Sequence, residues 1–316
     1  VTLDLLDRRL LFVTGKGGVG KSTVAAALAL LGSQHGRRTL ACEVDAKGDL
    51  ADFFETSRPG FEARRLAPDL WHMAMDTEAS LREYLHLQLH LPSMARLGPL
   101  ARVFDFVATA APGVREILTV GKIGWEVKEN HYDLVVVDAA ATGHIVGQLT
   151  APQAINDLVH VGQIREQTGW LADLLADRAT TGLVIVTTPE EMPVNETIEL
   201  VNRVRDDTRV DVAAVVVNRV LPELFSGVDE EVFERLSEPA MSDRLADATN
   251  GPVGPVLEAA RLAVTLRRTR AGHLDHLRSS IDPSVPLLYV PYLFGRGLGL
   301  RTTKQVAAAL GEELGF

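Results

Sequence analysis

Residues 13–23 read VTGKGGVGKST, which places four glycines and two lysines within eleven positions. Gly15, Gly20, Lys21 and Ser22 fill the fixed places of the pattern G-x-x-x-x-G-K-S/T, whose chemistry is the cradling of a polyphosphate. Gly15, Gly17, Gly18 and Gly20 let the backbone N–H groups around Val19 turn toward one centre. A helix starting at the end of the loop adds a partial positive charge there. Lys21 is then the candidate for the β- and γ-phosphates and the Ser22 hydroxyl for Mg²⁺, with Thr23 beside it among the phosphate-binding residues. Lys16, directly after the first glycine, is not required by this pattern. A cation at that place can reach the phosphates of a nucleotide held by a facing subunit, as an arginine finger does in trans.

Such a site needs a carboxylate at the end of an apolar strand to hold the Mg²⁺ hydration shell. The run LVVVD at 134–138 supplies Asp138, which acts on the metal through water. The sequence AAATGH follows it, and small residues with Gly143 suit a loop whose backbone approaches the γ-phosphate and moves when that group leaves. A second carboxylate should orient or deprotonate the attacking water. Asp45, in the EVDAKGD run after the second strand, is the candidate, and it is also a candidate metal ligand. Phosphoryl transfer of this kind relies on positioning and charge stabilisation, so no Ser-His-Asp or Cys-His set is required.

The elements that position these groups are legible as apolar runs. Residues 10–14, 39–44, 134–138, 183–188, 212–218 and 287–290 read as strands, and several are unbroken Val/Ile/Leu runs, as strands covered on both faces should be. Residues 70–75 read as a further short strand and 22–31 as the helix after the glycine loop. Alternating β and α units predict an α/β fold, a doubly wound and mostly parallel sheet of the P-loop NTPase type with helical insertions. Ligands bind beyond the carboxyl ends of strands in such sheets, which is where the glycine loop falls. Helix-rich stretches at about 76–130 and 221–280 read as insertions into one domain spanning 1–316, because no Ser/Gly linker separates them from the strands. The first has a capping-box-like start at Thr77 and Ser80, and Leu100, Val103, Phe104 and Val107 follow helical spacing along it.

Composition narrows the function. The 316 residues are 46% apolar, ample for a large core, and the formal net charge of −10 speaks against sequence-independent nucleic-acid binding. One cysteine, Cys42, excludes an internal disulfide and any multi-cysteine metal site built from one chain. It sits in an apolar run and reads as a packed core residue. No apolar run reaches the roughly 18 residues of a membrane span, and no charged-then-apolar leader opens the chain. A cytoplasmic protein is the expectation, peripheral to a membrane only through a partner.

The form G-K-G-G-V-G-K-S/T resembles the deviant P-loop of a class of dimeric ATPases that includes arsenite-pump, guided-entry (tail-anchored protein targeting) and partition ATPases and the nitrogenase iron protein. Within that class the chain is most similar to the arsenite-pump and guided-entry family. The family's first switch resembles D-P-A-x-N-L-x-D, against which this chain has Asp45, Leu50 and Asp52 in place, with Ala46 for the proline and Asp49 for the asparagine. The second resembles D-T-A-P-T-G-H, matched at Asp138, Ala140, Thr142, Gly143 and His144. Further similar segments are Pro112-Gly113-Val114-Arg115-Glu116, the turn Thr187-Thr188-Pro189-Glu190 with Glu196-Thr197, and Val215-Val216-Val217-Asn218. The resemblance implies that Asn218 reads adenine and that Pro291, with Leu293, belongs to the loop closing over the base. As a donor and acceptor, Asn218 is chemically suited to that edge; as a plain turn former it is equally at home beyond a strand.

What the resemblance implies is a Mg²⁺-dependent ATPase whose two subunits close on ATP, with a homodimer or a pairing with a related chain both open. It also implies an unknown client or membrane partner. The departures are specific. No C-x-x-C exists for a zinc shared at a dimer interface, so no zinc is expected. As(III) prefers sulfur, and a lone strand cysteine makes poor provision for it. The family's helical segment after the second switch is short here, at about 150–181. Its apolar residues Leu158, Val161, Trp170, Leu171 and Leu174 suit a packed core face at least as well as a client surface. Three functions fit: an ATP-hydrolysing switch first, then a nucleotide-gated scaffold with little turnover, or the energising subunit of an anion exporter.

Overall fold

The computed structural model describes residues 4–44, 49–89, 113–158, 163–223, 227–294, 297 and 299–316. Its centre is an eight-stranded sheet. The strands are β1 (Leu10–Gly15), β2 (Thr39–Glu43), β3 (Arg64–Ala67), β4 (Leu70–Ala74), β5 (Leu134–Asp138), β6 (Thr181–Thr187), β7 (Val212–Val220) and β8 (Leu287–Pro291). They lie in the order β3-β4-β2-β5-β1-β6-β7-β8, all parallel except the edge strand β3. The α/β expectation holds. Every predicted strand is present with ends moved by two residues or fewer, and β3 is the addition. Its sequence RRLA is exposed or half-buried, so it carries no apolar run to betray it.

β1 is the hinge of the topology. Its neighbours are β5 on one side and β6 on the other, and the chain builds outward in both directions from it. The crevice at its carboxyl end is therefore the place where such sheets bind ligands. All six β1 residues are buried because helices cover both faces. On one face lie α1 (Lys21–Gln34), the short α2 (Asp49–Phe53) and the C-terminal α11 (Leu300–Leu314). Leu11 and Val13 point into this layer. On the other face α4 (Val114–Lys128), α5 (Thr142–Leu158), α6 (Gln163–Ala176), α7 (Glu191–Asp207) and α10 (Gly254–Ser280) pack over Leu10 and Phe12. The alternation along β1 is that of a strand with two apolar environments.

Helix α1 is apolar all round its circumference, from Val24 through Gly32. That pattern belongs to a helix enclosed on every side. Alanines at 25, 26, 27 and 29 allow the close approach, and at Gly32 a Cβ would fall 2.6 Å from Leu134 Cδ2, so any larger residue there would force that side chain to move.

The described residues of the two helix-rich stretches form helices. α3 (Thr77–Leu89) is capped by Asp76, whose Oδ1 accepts from Ala79 N at 2.7 Å. The cap therefore lies one residue before Thr77, without the reciprocal bond of a capping box, and Ser80 instead donates through Oγ to Asp76 O. The stripe Leu100, Val103, Phe104 and Val107 lies outside the described residues. The second stretch forms α8 (Gly227–Leu236), α9 (Pro239–Thr249) and α10. After the second switch the chain enters α5 and then α6, where Leu171 is buried and Trp170 and Leu174 pack against the core. Those three residues form a core face; Val161 lies outside the described residues. Cys42 is fully buried, and burial pushes its thiol well above the ordinary range. Among the described residues no helix is long and apolar enough to cross a membrane.

Candidate phosphate-binding site

The glycine loop occupies the end of β1 and delivers the chain directly into α1. Gly15 has φ +149° and lies against β6, where an added Cβ would stand 2.1 Å from Val186 O. Gly18 and Gly20 have φ of +87° and +97°, the left-handed region that side chains resist. Gly17 and Gly18 border open space, whereas a Cβ on Gly20 would meet Asn218 Nδ2 at 2.3 Å. Val19 is buried beneath the loop. Gly15→Ala should therefore cost about 3 kcal/mol, because backbone strain adds to a clash with a strand that cannot yield. Equilibrium denaturation measures this, and a loss below about 1 kcal/mol would mean that the β1–β6 contact is looser than described.

Lys21, Ser22 and Thr23 form the first turn of α1. Lys21 Nζ donates to Lys16 O at 3.4 Å, so its ammonium lies over the loop. The Ser22 hydroxyl lies beside the Asp138 carboxyl. Asp138 ends β5, is 8% exposed, and its Oδ1 is buried without a hydrogen-bond partner among the described residues. Burial pushes this carboxyl up to about 7, against the pull of the Ser22 hydroxyl and the Lys21 charge, while Glu43 and Asp49 add to the rise. An orphaned buried carboxylate oxygen beside a serine hydroxyl and a lysine is costly without a further ligand. A hydrated divalent cation satisfies that group, so the residues present fit Mg²⁺.

Neighbouring strand ends are laced together. Thr14 Oγ1 donates to Ala140 O at 2.7 Å, and Ala139 N donates to Val13 O at 3.0 Å. These bonds tie the loop after Asp138 to β1. Gly143 is exposed in the first turn of α5, on the loop side.

Asn218 lies within β7, not beyond it, and is 7% exposed. The strand bulges between Val217 and Val220, and Arg219 adopts φ +60°. The bulge aims the amide at the glycine loop: Nδ2 donates to Val19 O at 2.8 Å, and Oδ1 accepts from Arg219 N at 2.9 Å. Pro291 pairs in register with Val220, and Tyr292 N donates to Val220 O at 2.8 Å, so the 291–293 segment begins next to Asn218.

Asp45, with residues 46–48, lies outside the described residues. Two residues that sequence reasoning left out of the site belong to its surroundings. Glu43, buried at the end of β2, stands opposite Asp138 in the β2–β5 register and accepts from Asp49 N through Oε1 at 2.9 Å. Behind it His72 is fully buried, and burial lowers its imidazole to about 4, so it is neutral. The signal for Glu43 was a charged residue closing an otherwise apolar strand. The second residue, Glu196 of α7, makes an ion pair with Lys16 and accepts from Thr142 Oγ1 at 3.4 Å. It is 180 positions from Lys16, and local pattern carries no trace of that contact.

Residues 8–173 and 158–238 match the family described as anion-transporting ATPase. The chain is 35% identical over 225 residues to the ATPase BagA of Mycobacterium tuberculosis, covering 68% of this chain and 66% of that protein. It is 27% identical over 247 residues to a putative arsenical pump-driving ATPase 2 of Aquifex aeolicus, covering 68% and 81%. With the ATPase GET3 of Podospora anserina it shares 29% identity over 170 residues, covering 53% and 50%. The chain thus spans just under two-thirds of the length of the mycobacterial relative. A glycine loop at the central strand, the buried Asp138 carboxyl beside it and a family match over more than half the chain agree: the chain belongs to the anion-transporting ATPase family.

Proposed function

We propose that the chain is a Mg²⁺-dependent ATP phosphohydrolase that works as a switch, pairing with a second ATPase subunit when ATP is bound and separating after hydrolysis. The observation that carries this is the buried Asp138 carboxyl, with one oxygen lacking a partner among the described residues and Ser22 beside it, next to a glycine loop with two lysines. The amide groups from Gly15 to Thr23 cradle the phosphates and Lys21 neutralises them. Ser22 and, through water, Asp138 hold Mg²⁺, which when bound offsets the charge on the phosphate oxygens. Asp45 orients the attacking water, with a place near the metal as well. Asn218 and Pro291 border the base, and Asn218 also holds the loop through Val19. Gly143 gives the loop after Asp138 freedom to follow the γ-phosphate. Lys16 reaches the nucleotide of the facing subunit.

The helical insertions carry the opening and closing to a client or membrane partner, which leaves the chain itself peripheral to any membrane. Neither zinc nor nucleic acid enters this scheme. Glu43 and Asp49 add negative charge near the phosphates, which weakens a site unless a cation offsets it. That charge favours pairing with a related chain alongside pairing with a copy. Phosphate release by wild type and Asp45→Asn tests the scheme. Turnover in the wild type, falling about a hundredfold in the variant with ATP uptake retained, is expected. Tight ATP uptake with negligible release from both would instead favour a nucleotide-gated scaffold. Stimulation by an added oxyanion would favour an exporter subunit.

A further inference from the structure

Lys16 is engaged within its own chain. Its ammonium pairs with Glu196, and the two side chains are 30% and 31% exposed. The other oxygen of that carboxylate accepts from Thr142 Oγ1 at 3.4 Å, and Thr142 opens α5 directly after the loop that follows Asp138. One carboxylate therefore joins the glycine loop to the second switch. Its support is rigid. Val194, Thr197, Leu200 and Val201 of the same helix are buried against the sheet, and Arg270 of α10 stands 3.8 Å from Glu190 at the start of α7.

We infer that Glu196 is a brake on pairing: it holds Lys16 in cis, and the lysine must leave it before reaching a facing nucleotide. A terminal phosphate carries more negative charge than one carboxylate, so an arriving triphosphate draws Lys16 away. The other oxygen of Glu196 stays within reach of Thr142, so release of the lysine leaves an unneutralised carboxylate beside the second switch. A partly exposed ion pair shifts an equilibrium by about threefold. Two such pairs break for each dimer formed, so the brake weakens pairing by about tenfold. The brake rests on the pairing role proposed above for Lys16, yet the ion pair lies within one chain and can be probed without a partner.

Glu196→Gln keeps an acceptor for Thr142 and removes the charge. In the nucleotide-free protein, acetylation of Lys16 by an N-hydroxysuccinimide ester, followed by peptide mass spectrometry, should be about threefold faster in the variant, with exposed Lys304 as the internal reference. With Mg²⁺ and ATP, sedimentation should show half-maximal pairing at about tenfold lower protein concentration. An unchanged Lys16 rate overturns the latch. A faster Lys16 rate with unchanged pairing overturns the brake and leaves the switch intact. A wild type that never pairs on ATP counts against pairing of copies itself, which the acetylation measurement does not depend on.

Discussion

Replacing Lys16 with alanine is expected to lower ATP turnover by about a thousandfold while changing ATP uptake by no more than about threefold. Turnover and fluorescent-nucleotide binding on the same preparation check both halves. The split follows from where Lys16 sits. Within its own chain its ammonium is turned toward Glu196 at the edge of the loop, whereas Lys21 lies over the loop itself. The backbone cradle and Lys21 remain when Lys16 is removed, so ground-state binding persists. What disappears is a charge supplied from the facing subunit as the phosphoryl group transfers, the role for which a trans arginine is worth about three to five powers of ten. Lys21→Ala should behave differently and lose uptake itself. Equal losses of uptake in the two variants would mean that both lysines serve the same bound phosphates in cis.

Asp138→Asn should move stability and activity in opposite directions. Burial raises this carboxyl from 3.8 to about 7, so folding favours its protonated form. The stability it contributes is complete below pH 3.8 and is lost as pH rises through about 7. At about pH 8 the nucleotide-free wild type carries a buried charge that asparagine lacks, and the variant should be more stable by about 2 kcal/mol, a gap that narrows toward about pH 5. Denaturant titrations at the two pH values measure it. Mg²⁺-dependent hydrolysis should nevertheless fall by about a hundredfold or more, because the amide cannot hold a hydrated cation as a carboxylate does. Protons and Mg²⁺ compete for the same oxygens, so the Mg²⁺ enhancement of ATP binding in the wild type should grow from about pH 6 to about pH 8. It should be absent in the variant. A less stable variant at about pH 8 would place Asp138 in a satisfied structural role.

The central sheet was legible because its strands are buried on both faces and so appear as unbroken apolar runs, LLFVT and LVVVD above all. The glycine loop was legible for a steric reason. A Cβ on Gly15 or Gly20 would fall 2.1 Å from Val186 O or 2.3 Å from Asn218 Nδ2, so the pattern in sequence mirrors a constraint in space. Edge strand β3 escaped detection because an exposed antiparallel strand needs no apolar run; its pairing with β4 supplies what its side chains do not. The cap of α3 was misplaced by one residue, since Asp76 and Thr77 are both good caps and only tertiary placement chooses between them.

Site residues divide along the same line. Asp138 could be found from the strand that ends in it. The inward turn of Asn218 depends on a bulge at Arg219 that no local propensity announces. Glu196 meets Lys16 only because α7 is laid against the sheet beside β1, a consequence of the whole topology. Contacts of that kind are read from a fold and not from a pattern.

Calorimetric titration of the chain with ATP, with and without Mg²⁺, tests the central claim most directly. Saturable uptake of one nucleotide per chain is predicted, strengthened by Mg²⁺ in the wild type and abolished in Lys21→Ala. Absence of uptake, or uptake indifferent to both Mg²⁺ and Lys21, would contradict a phosphate site at the end of β1.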